Sequence, residues 1–238
     1  MTAPAFARTP RHRAARRPRT TVAFESLPIR ERQRRALNIV VAVIGIVVTA
    51  PLMLLIAVVI RLTSPGPIIF RQTRVGVDRR HDRHAAGGRR ARDLAGCPFT
   101  MLKFRTMTAD EAPPAVWAAP DDPRVTPVGR VLRRYRLDEL PQLFNVVAGD
   151  MNVVGPRPEQ PSIVASLLGR IPGYRLRQRV LPGITGLAQV TRGYDRTLDD
   201  VRSKVRLDLE YVAHRSPRED ARIMVRTIPV MLASKLGW

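Results

Sequence analysis

Two adjacent carboxylates, Asp138 and Glu139, are the residues of this chain best suited to chemistry, because cations lie on both sides of them in the sequence. They follow the basic run Arg133-Arg134-Tyr135-Arg136, and a stiff turn, Val154-Gly155-Pro156-Arg157-Pro158, comes soon after them. A carboxylate can attack phosphorus or hold a metal ion, while arginines bind phosphate oxygens. The combination predicts chemistry on a phosphate group. The alternative is that the two acids only cap a helix N-terminus, which is the commoner role of such a pair.

The composition narrows the class of partner. The chain has 41 Lys and Arg against 20 Asp and Glu, a formal net charge of +21. So basic a protein suits nucleic acid, or an anionic membrane surface with anionic substrates. Aromatic residues make up 5% of the chain, which is sparse for a protein that stacks bases, and no nucleic-acid-reading motif is present, so specific nucleic-acid binding is not expected. Cys97 is the only cysteine, which excludes an intrachain disulfide.

A long apolar segment indicates a membrane-associated helix. No charged residue occurs from Ala36 to Ile60, and a helix of that length can cross a bilayer core of about 30 Å. Arginines flank the segment at both ends, so the charges favour no direction of insertion. Pro51 lies near the middle, where it removes a helical hydrogen bond. A helix broken there could enter one leaflet and return, and a kinked helix that crosses the bilayer fits the flanks equally well.

The rest of the chain divides by composition and periodicity. Residues 1–28 read as a disordered basic tail, 29–62 as the membrane-associated helix and 63–238 as one domain with a flexible insert at 77–98. Strands are predicted at 67–72 and 99–105. Thr197 opens a predicted helix that runs to His214, and Ser216 opens another with apolar and basic faces. That last helix suits a membrane interface or an ordinary core-facing position equally.

These motifs occur in an order that resembles the bacterial sugar transferase family, the monotopic phosphoglycosyl transferases that start polyprenol-linked glycan assembly. The resemblance covers roughly residues 34–230 and is specific because all the motifs appear together. They are the Arg-led apolar segment with Pro51, Ser64-Pro65-Gly66-Pro67 through Arg74-Val75-Gly76, Lys103-Phe104-Arg105-Thr106-Met107, Leu137-Asp138-Glu139-Leu140-Pro141-Gln142-Leu143 through Val154-Gly155-Pro156-Arg157-Pro158, and Pro182-Gly183-Ile184-Thr185-Gly186-Leu187-Ala188-Gln189-Val190.

The resemblance implies a reaction. Asp138 would be the nucleophile that attacks the β-phosphate of a UDP-sugar, which expels UMP and leaves a phosphosugar–aspartyl intermediate for polyprenyl (undecaprenyl) phosphate to attack. Glu139 would help to hold Mg²⁺ on the diphosphate, with Asp208 as a weaker second candidate. Neighbouring residues of a helix point about 100° apart, which allows two roles. The candidate phosphate-binding residues are Lys103, Arg105, Arg136 and Arg157.

The resemblance also implies an architecture. It is a mainly helical α+β protein on the bacterial inner membrane, with a re-entrant helix-hairpin, a cytoplasmic catalytic domain containing a small antiparallel strand pair, and interfacial amphipathic helices. Two positions depart from the family pattern: Asn38 replaces its usual Asp, and Ala50 replaces the Ser before Pro51, although Thr49 could supply a hydroxyl one place earlier. These departures motivate an alternative, a non-catalytic membrane-associated scaffold of the same fold. Neither the sugar donor nor the oligomeric state is specified by any residue of the sequence.

Overall fold

A computed structural model describes residues 29–78, 94–108, 122–192 and 197–232. The predicted tail 1–28 and most of the predicted insert 77–98 lie outside these residues. Within them the fold is mainly helical, with two small two-stranded sheets. In chain order the elements are α1 (Ile29–Thr63), β1 (Ile69–Val75), β2 (Pro98–Phe104), α2 (Pro127–Arg134), α3 (Gln142–Ala148), β3 (Asn152–Val154), α4 (Pro161–Leu168), β4 (Gly183–Thr185), α5 (Leu187–Thr191), α6 (Leu198–His214) and α7 (Pro217–Leu232).

Helix α1 is the longest element, with 35 residues. Its most apolar window of 18 residues has a mean hydropathy of 3.0 and only 17% of that window is buried, which is unlike the core helix of a soluble protein. Pro51 lies inside α1, which continues as one helix through the position of the predicted break. The hydroxyl of Thr49 forms a hydrogen bond to the backbone, because Thr49 Oγ1 donates to the carbonyl of Gly45 at 2.6 Å. Such a bond back to the preceding turn is a known cause of helix bending.

The two ends of α1 pack on the folded domain and its middle does not. Ala42 is buried against Met101, Val146 and Met151. Near the other end, Ile56 and Ile60 are buried in a separate cluster. Between the two contacts the large apolar side chains are exposed, namely Val43, Ile44, Val47, Val48, Leu52, Leu54 and Leu55.

Strands β1 and β2 form the predicted antiparallel pair. The register runs from Ile69 opposite Phe104 to Val75 opposite Pro98. Two further bonds, Gly76 N to Cys97 O at 2.9 Å and Cys97 N to Val77 O at 3.0 Å, continue the pairing past the strand ends. The boundaries of the predicted loop are therefore hydrogen-bonded to each other, and β1 is longer than its sequence pattern indicated.

A second, parallel pair was not predicted. Strands β3 and β4 are three residues each, with Asn152 opposite Gly183 and Val154 opposite Thr185. Gly183 packs so closely that a Cβ there would lie 2.1 Å from the nitrogen of Gly155. This contact explains the need for glycine, and it holds the turn that follows β3.

Helices α6 and α7 begin where the sequence predicts. Thr197 caps α6 in a reciprocal capping box with Asp200, and Ser216 Oγ accepts from the nitrogen of Glu219 at 3.2 Å. The apolar residues of α7 are divided, because Ile223 is fully buried while Val225 and Ile228 are exposed. One face of α7 therefore belongs to the core and the other is apolar and solvent-facing.

Candidate active site

Asp138 and Glu139 lie in a short 3₁₀ helix, Leu137–Glu139, between α2 and α3. The residue before it, Arg136, has a left-handed backbone with φ of 54°, which reverses the chain after α2. The prediction that the acids lie on a regular α-helix is therefore wrong. A 3₁₀ helix has about three residues per turn, so the two side chains still point in different directions. Both residues are 7% exposed.

Glu139 is held by two cations from separate elements. Lys103 Nζ, on β2, lies 3.1 Å from Glu139 Oε1. Arg157 Nη2, in the turn after β3, donates to the same oxygen at 2.6 Å. Burial opposes ionisation, but Arg157 and Lys103 outweigh it and hold the pKa of Glu139 well below its usual range. Glu139 is therefore a buried, ionised carboxylate.

Asp138 differs from its neighbour. Within the described part of the chain its carboxylate accepts no hydrogen bond, and its ion pair with Lys103 Nζ is 3.8 Å long. Burial raises the pKa of Asp138, and although Lys103 acts in the opposite direction, the negative charge of Glu139 adds to the increase. An acid that hydrogen bonds do not occupy keeps its lone pairs for a reaction.

A second ion pair, which is buried more deeply, fixes the backbone of Arg157. Its backbone carbonyl accepts from Arg177 Nη2 at 3.0 Å, and Arg177 Nε donates to Asp208 Oδ2 at 2.7 Å. Asp208 is 2% exposed. The prediction that Asp208 is a metal ligand does not fit this environment, because the side chains of Asp208 and of its partner Arg177 are both closed to solvent, at 3% and 4% exposure, whereas the Arg157 partner of Glu139 is 28% exposed. Asp208 instead supports the turn that carries Arg157.

The other two predicted phosphate-binding residues have different surroundings. Arg105 is 6% exposed and donates to the carbonyl and hydroxyl oxygens of Ser64, both at 2.8 Å, and to the carbonyl of Pro65. It ties the segment after α1 to the end of β2, so the prediction that it binds phosphate does not fit. Arg136 is half-buried beside the acids, where its charge contributes to the low pKa of Glu139.

Asn145 is a positioning residue that the sequence patterns did not identify. Its Oδ1 accepts from the nitrogen of Leu102 at 2.9 Å, and its Nδ2 donates to the carbonyl of Thr100 at 2.8 Å. These bonds fix α3 to β2 and so place Glu139 beside Lys103. In the sequence, the feature that indicates such a role is a polar amide placed between the apolar residues Phe144 and Val146.

The two acids could hold a metal ion only together with a ligand. Among the residues that the structure describes, no group of three or more His, Cys, Asp or Glu side chains is placed around one point. Asp138 and Glu139 are close together, since both lie within 3.8 Å of Lys103 Nζ. Mg²⁺ often takes one or two carboxylates and completes its shell with water and phosphate oxygens. The pair therefore fits a Mg²⁺ ion shared with a phosphate substrate.

Comparison with known proteins places the chain in a family. Residues 29–234 match the family described as bacterial sugar transferase, so this chain belongs to the bacterial sugar transferase family. A UDP-glucose:undecaprenyl-phosphate glucose-1-phosphate transferase of Caulobacter vibrioides is 41% identical, over 85% of this chain and 70% of that protein. A UDP-N-acetylgalactosamine-undecaprenyl-phosphate N-acetylgalactosaminephosphotransferase of Aeromonas hydrophila is 42% identical, over 84% of this chain.

The relatives differ in length. The chain spans 43% of the Aeromonas protein and 39% of a glucose-1-phosphate transferase of Escherichia coli. It spans 98% of an exopolysaccharide production protein of Rhizobium leguminosarum, at 35% identity. The shared region contains every residue of the site described above.

Proposed function

We propose that this protein transfers a sugar-1-phosphate from a UDP-sugar to undecaprenyl phosphate, releases UMP, and so initiates assembly of a polysaccharide or glycoconjugate. One observation carries the proposal. A buried carboxylate that accepts no hydrogen bond from the described residues, that of Asp138, lies beside an ionised carboxylate and two cations, Lys103 and Arg157. Phosphoryl transfer needs mainly a positioned nucleophile and fixed positive charge, and this arrangement supplies both.

In the first half-reaction an Asp138 oxygen attacks the β-phosphorus of the UDP-sugar. The bond from that phosphorus to the bridging oxygen breaks, and the electron pair leaves with UMP. In the second half-reaction an oxygen of undecaprenyl phosphate attacks the same phosphorus, and the Asp138 carboxylate is released unchanged. The product is undecaprenyl diphosphate sugar, and no oxidant or additional proton carrier is required.

The surrounding residues divide the remaining work. Lys103 contacts both acids, and its ammonium group can stabilise the negative charge that develops on the phosphate oxygens. Arg157 is partly exposed, so its guanidinium can bind a diphosphate while its backbone stays fixed by Arg177. Glu139 would hold Mg²⁺ against the diphosphate, where the ion would neutralise phosphate charge, and Asp138 would keep its oxygens for the attack.

The membrane supplies the lipid substrate. The exposed middle of α1 and its two buried ends support a re-entrant helix that enters one leaflet of the bacterial inner membrane, with the catalytic domain in the cytoplasm. Exposed apolar side chains on α2 and α3, including Val131, Phe144 and Val147, flank the acids and would lie in the interface. The active site would then lie where a lipid phosphate and a soluble nucleotide can meet.

The reaction is tested with purified, detergent-solubilised protein, Mg²⁺, undecaprenyl phosphate and a panel of UDP-sugars that includes UDP-glucose and UDP-N-acetylgalactosamine. UMP release that requires both the lipid and one donor is expected. Release without the lipid acceptor would indicate hydrolysis instead of transfer. If folded protein released no UMP with any donor of the panel, the result would favour the non-catalytic scaffold.

The topology is tested separately by cysteine labelling. Single cysteines are placed at Gln33 and at Thr63, both exposed, in a Cys97→Ser background. A maleimide that cannot cross a sealed inner membrane should label neither position from outside, and both after lysis. Labelling of one position from outside would show that α1 crosses the bilayer.

A further inference from the structure

A buried polar cluster at the base of α1 uses Asn38, the residue that departs from the family pattern. Asn38 is fully buried, and its Oδ1 accepts from the backbone nitrogens of Val153 at 2.8 Å and Val154 at 3.1 Å. Its Nδ2 donates to Asp220 Oδ2 at 2.9 Å and to the carbonyl of Arg34 at 2.7 Å. All four hydrogen-bonding positions of the amide are therefore occupied, which also fixes its orientation.

The bonds from Asn38 hold β3 from outside its sheet. β3 pairs with β4 through Asn152 and Val154. The side-chain oxygen of Asn38 accepts in addition from two consecutive backbone nitrogens of β3, those of Val153 and Val154. The chain then continues directly from β3 into Gly155-Pro156-Arg157. Asn38 is thus connected through one short strand to the guanidinium that binds Glu139.

The amide of Asn38 matches the hydrogen-bonding groups that surround it in this chain. Asp220 is fully buried on the far side of Asn38, and it also accepts from Arg34 Nε at 3.2 Å. The hydroxyl of Tyr211 lies 2.8 Å from Asp220 Oδ1 and accepts from Arg34. If residue 38 were Asp, its second oxygen would face the Asp220 carboxylate and the carbonyl of Arg34 without a hydrogen between them. Two buried like charges at that distance cannot both stay ionised.

We infer that Asn38 is a positioning residue, which fixes β3 and thereby Arg157, and whose amide complements the Asp220 carboxylate opposite it. The catalytic part of this inference rests on the proposed transferase function. Residues 38 and 220 form a matched pair in which one member is an amide and the other a carboxylate. Exchanging the two members should therefore relieve the contact between carboxylates, although residue 38 would still face the carbonyl of Arg34.

The exchange is the first test. Asn38→Asp is expected to lower kcat/KM for the UDP-sugar about 10- to 100-fold and to lower Tm, since it places a second carboxylate in the cluster. The double variant Asn38→Asp with Asp220→Asn removes the contact between two carboxylates but leaves residue 38 facing the carbonyl of Arg34, so it should recover only part of both losses, with kcat/KM at least about threefold above that of Asn38→Asp. Asn152→Asp is the matched control, because Asn152 is also buried but its Oδ1 faces a cation, Arg35 Nη1, at 2.9 Å. It should be nearly neutral.

A double-mutant cycle with Arg157→Ala separates positioning from general stability. If Asn38 acts through Arg157, Asn38→Asp should change kcat/KM less than about threefold in the Arg157→Ala background. Asn38→Ser, which adds no charge, takes its place in the cycle if Asn38→Asp does not fold. An exchanged variant no better than Asn38→Asp overturns the pairing, and an undiminished loss in the Arg157→Ala background overturns the positioning role. If wild-type protein releases no UMP, the proposed function fails, while the Tm comparison still decides the pairing.

Discussion

Two buried charge clusters in this molecule differ in how completely their polar groups are hydrogen-bonded. At the base of α1, Arg34, Asn38, Tyr211 and Asp220 bond to one another and to β3, and the amide of Asn38 has no unused position. At the active site, Glu139 has two cations but the adjacent Asp138 accepts no hydrogen bond from the described residues. We call the cluster at the base of α1 closed, because its polar groups bond to one another, and the cluster at the active site open, because Asp138 accepts no such bond.

The difference separates architecture from chemistry. A closed cluster offsets the cost of burying its charges with hydrogen bonds and can hold two elements in one arrangement. In the open cluster the Asp138 carboxylate accepts no hydrogen bond from the described residues and the guanidinium of Arg157 is partly exposed, so a diphosphate and a metal ion could reach both. Substitutions in the open cluster should therefore change turnover most, and substitutions in closed clusters should change stability most.

The largest expected effect is at Asp138. Asp138→Asn removes the attacking oxygen and should lower UMP release by about 10³-fold or more. Tm should stay unchanged or rise slightly, because the fold already raises the pKa of Asp138 and so favours the neutral form. The measurement is UMP release together with thermal unfolding. Retained turnover would reject Asp138 as the nucleophile, and loss of folding would place Asp138 in the structural class.

The second prediction compares two arginines. Arg157→Ala removes a guanidinium that reaches Glu139 and should lower kcat/KM for the donor about 10²- to 10³-fold. Arg105→Lys cannot keep the contacts to both Ser64 and Pro65, and should instead lower the free energy of unfolding by about 1–3 kcal/mol. Steady-state kinetics and denaturant unfolding measure the two effects. A loss of kcat/KM in Arg105→Lys at unchanged stability would restore the sequence-based assignment of Arg105 to phosphate binding.

These two arginines also illustrate what sequence can and cannot provide. Local patterns predicted the β1–β2 pair, the Thr197 and Ser216 caps and the Asp138-Glu139 region, because their determinants lie within a few residues. The bond from Asn38 to Asp220 joins residues 182 positions apart, and the three-residue strands β3 and β4 are too short for periodicity to identify. Whether an arginine faces the acids or binds a backbone carbonyl depends on such contacts between residues that are far apart in the sequence.

The third prediction concerns Asp208 in its buried pair with Arg177. Asp208→Asn leaves Arg177 buried without its carboxylate, and should destabilise the protein by about 3–5 kcal/mol. The Mg²⁺ concentration for half-maximal UMP release should stay the same in the folded protein, since Asp208 and its partner Arg177 are both closed to solvent. A clear increase in that concentration would restore Asp208 as a metal ligand. Glu139→Gln is the comparison variant, because it is expected to increase the Mg²⁺ requirement.

The smallest expected effect is at the rim of the closed cluster. Glu31 lies 2.8 Å from Arg34 Nη1 and 2.6 Å from Arg215 Nε, but its side chain is 27% exposed. Water already screens such a pair, so Glu31→Gln should cost about 0.5–1 kcal/mol in the free energy of unfolding and leave UMP release unchanged. Urea unfolding and the UMP assay measure both quantities. A cost comparable to that of Asp208→Asn would mean that Glu31 is an integral member of the cluster, because only a charge withdrawn from solvent loses that much when its partner is removed.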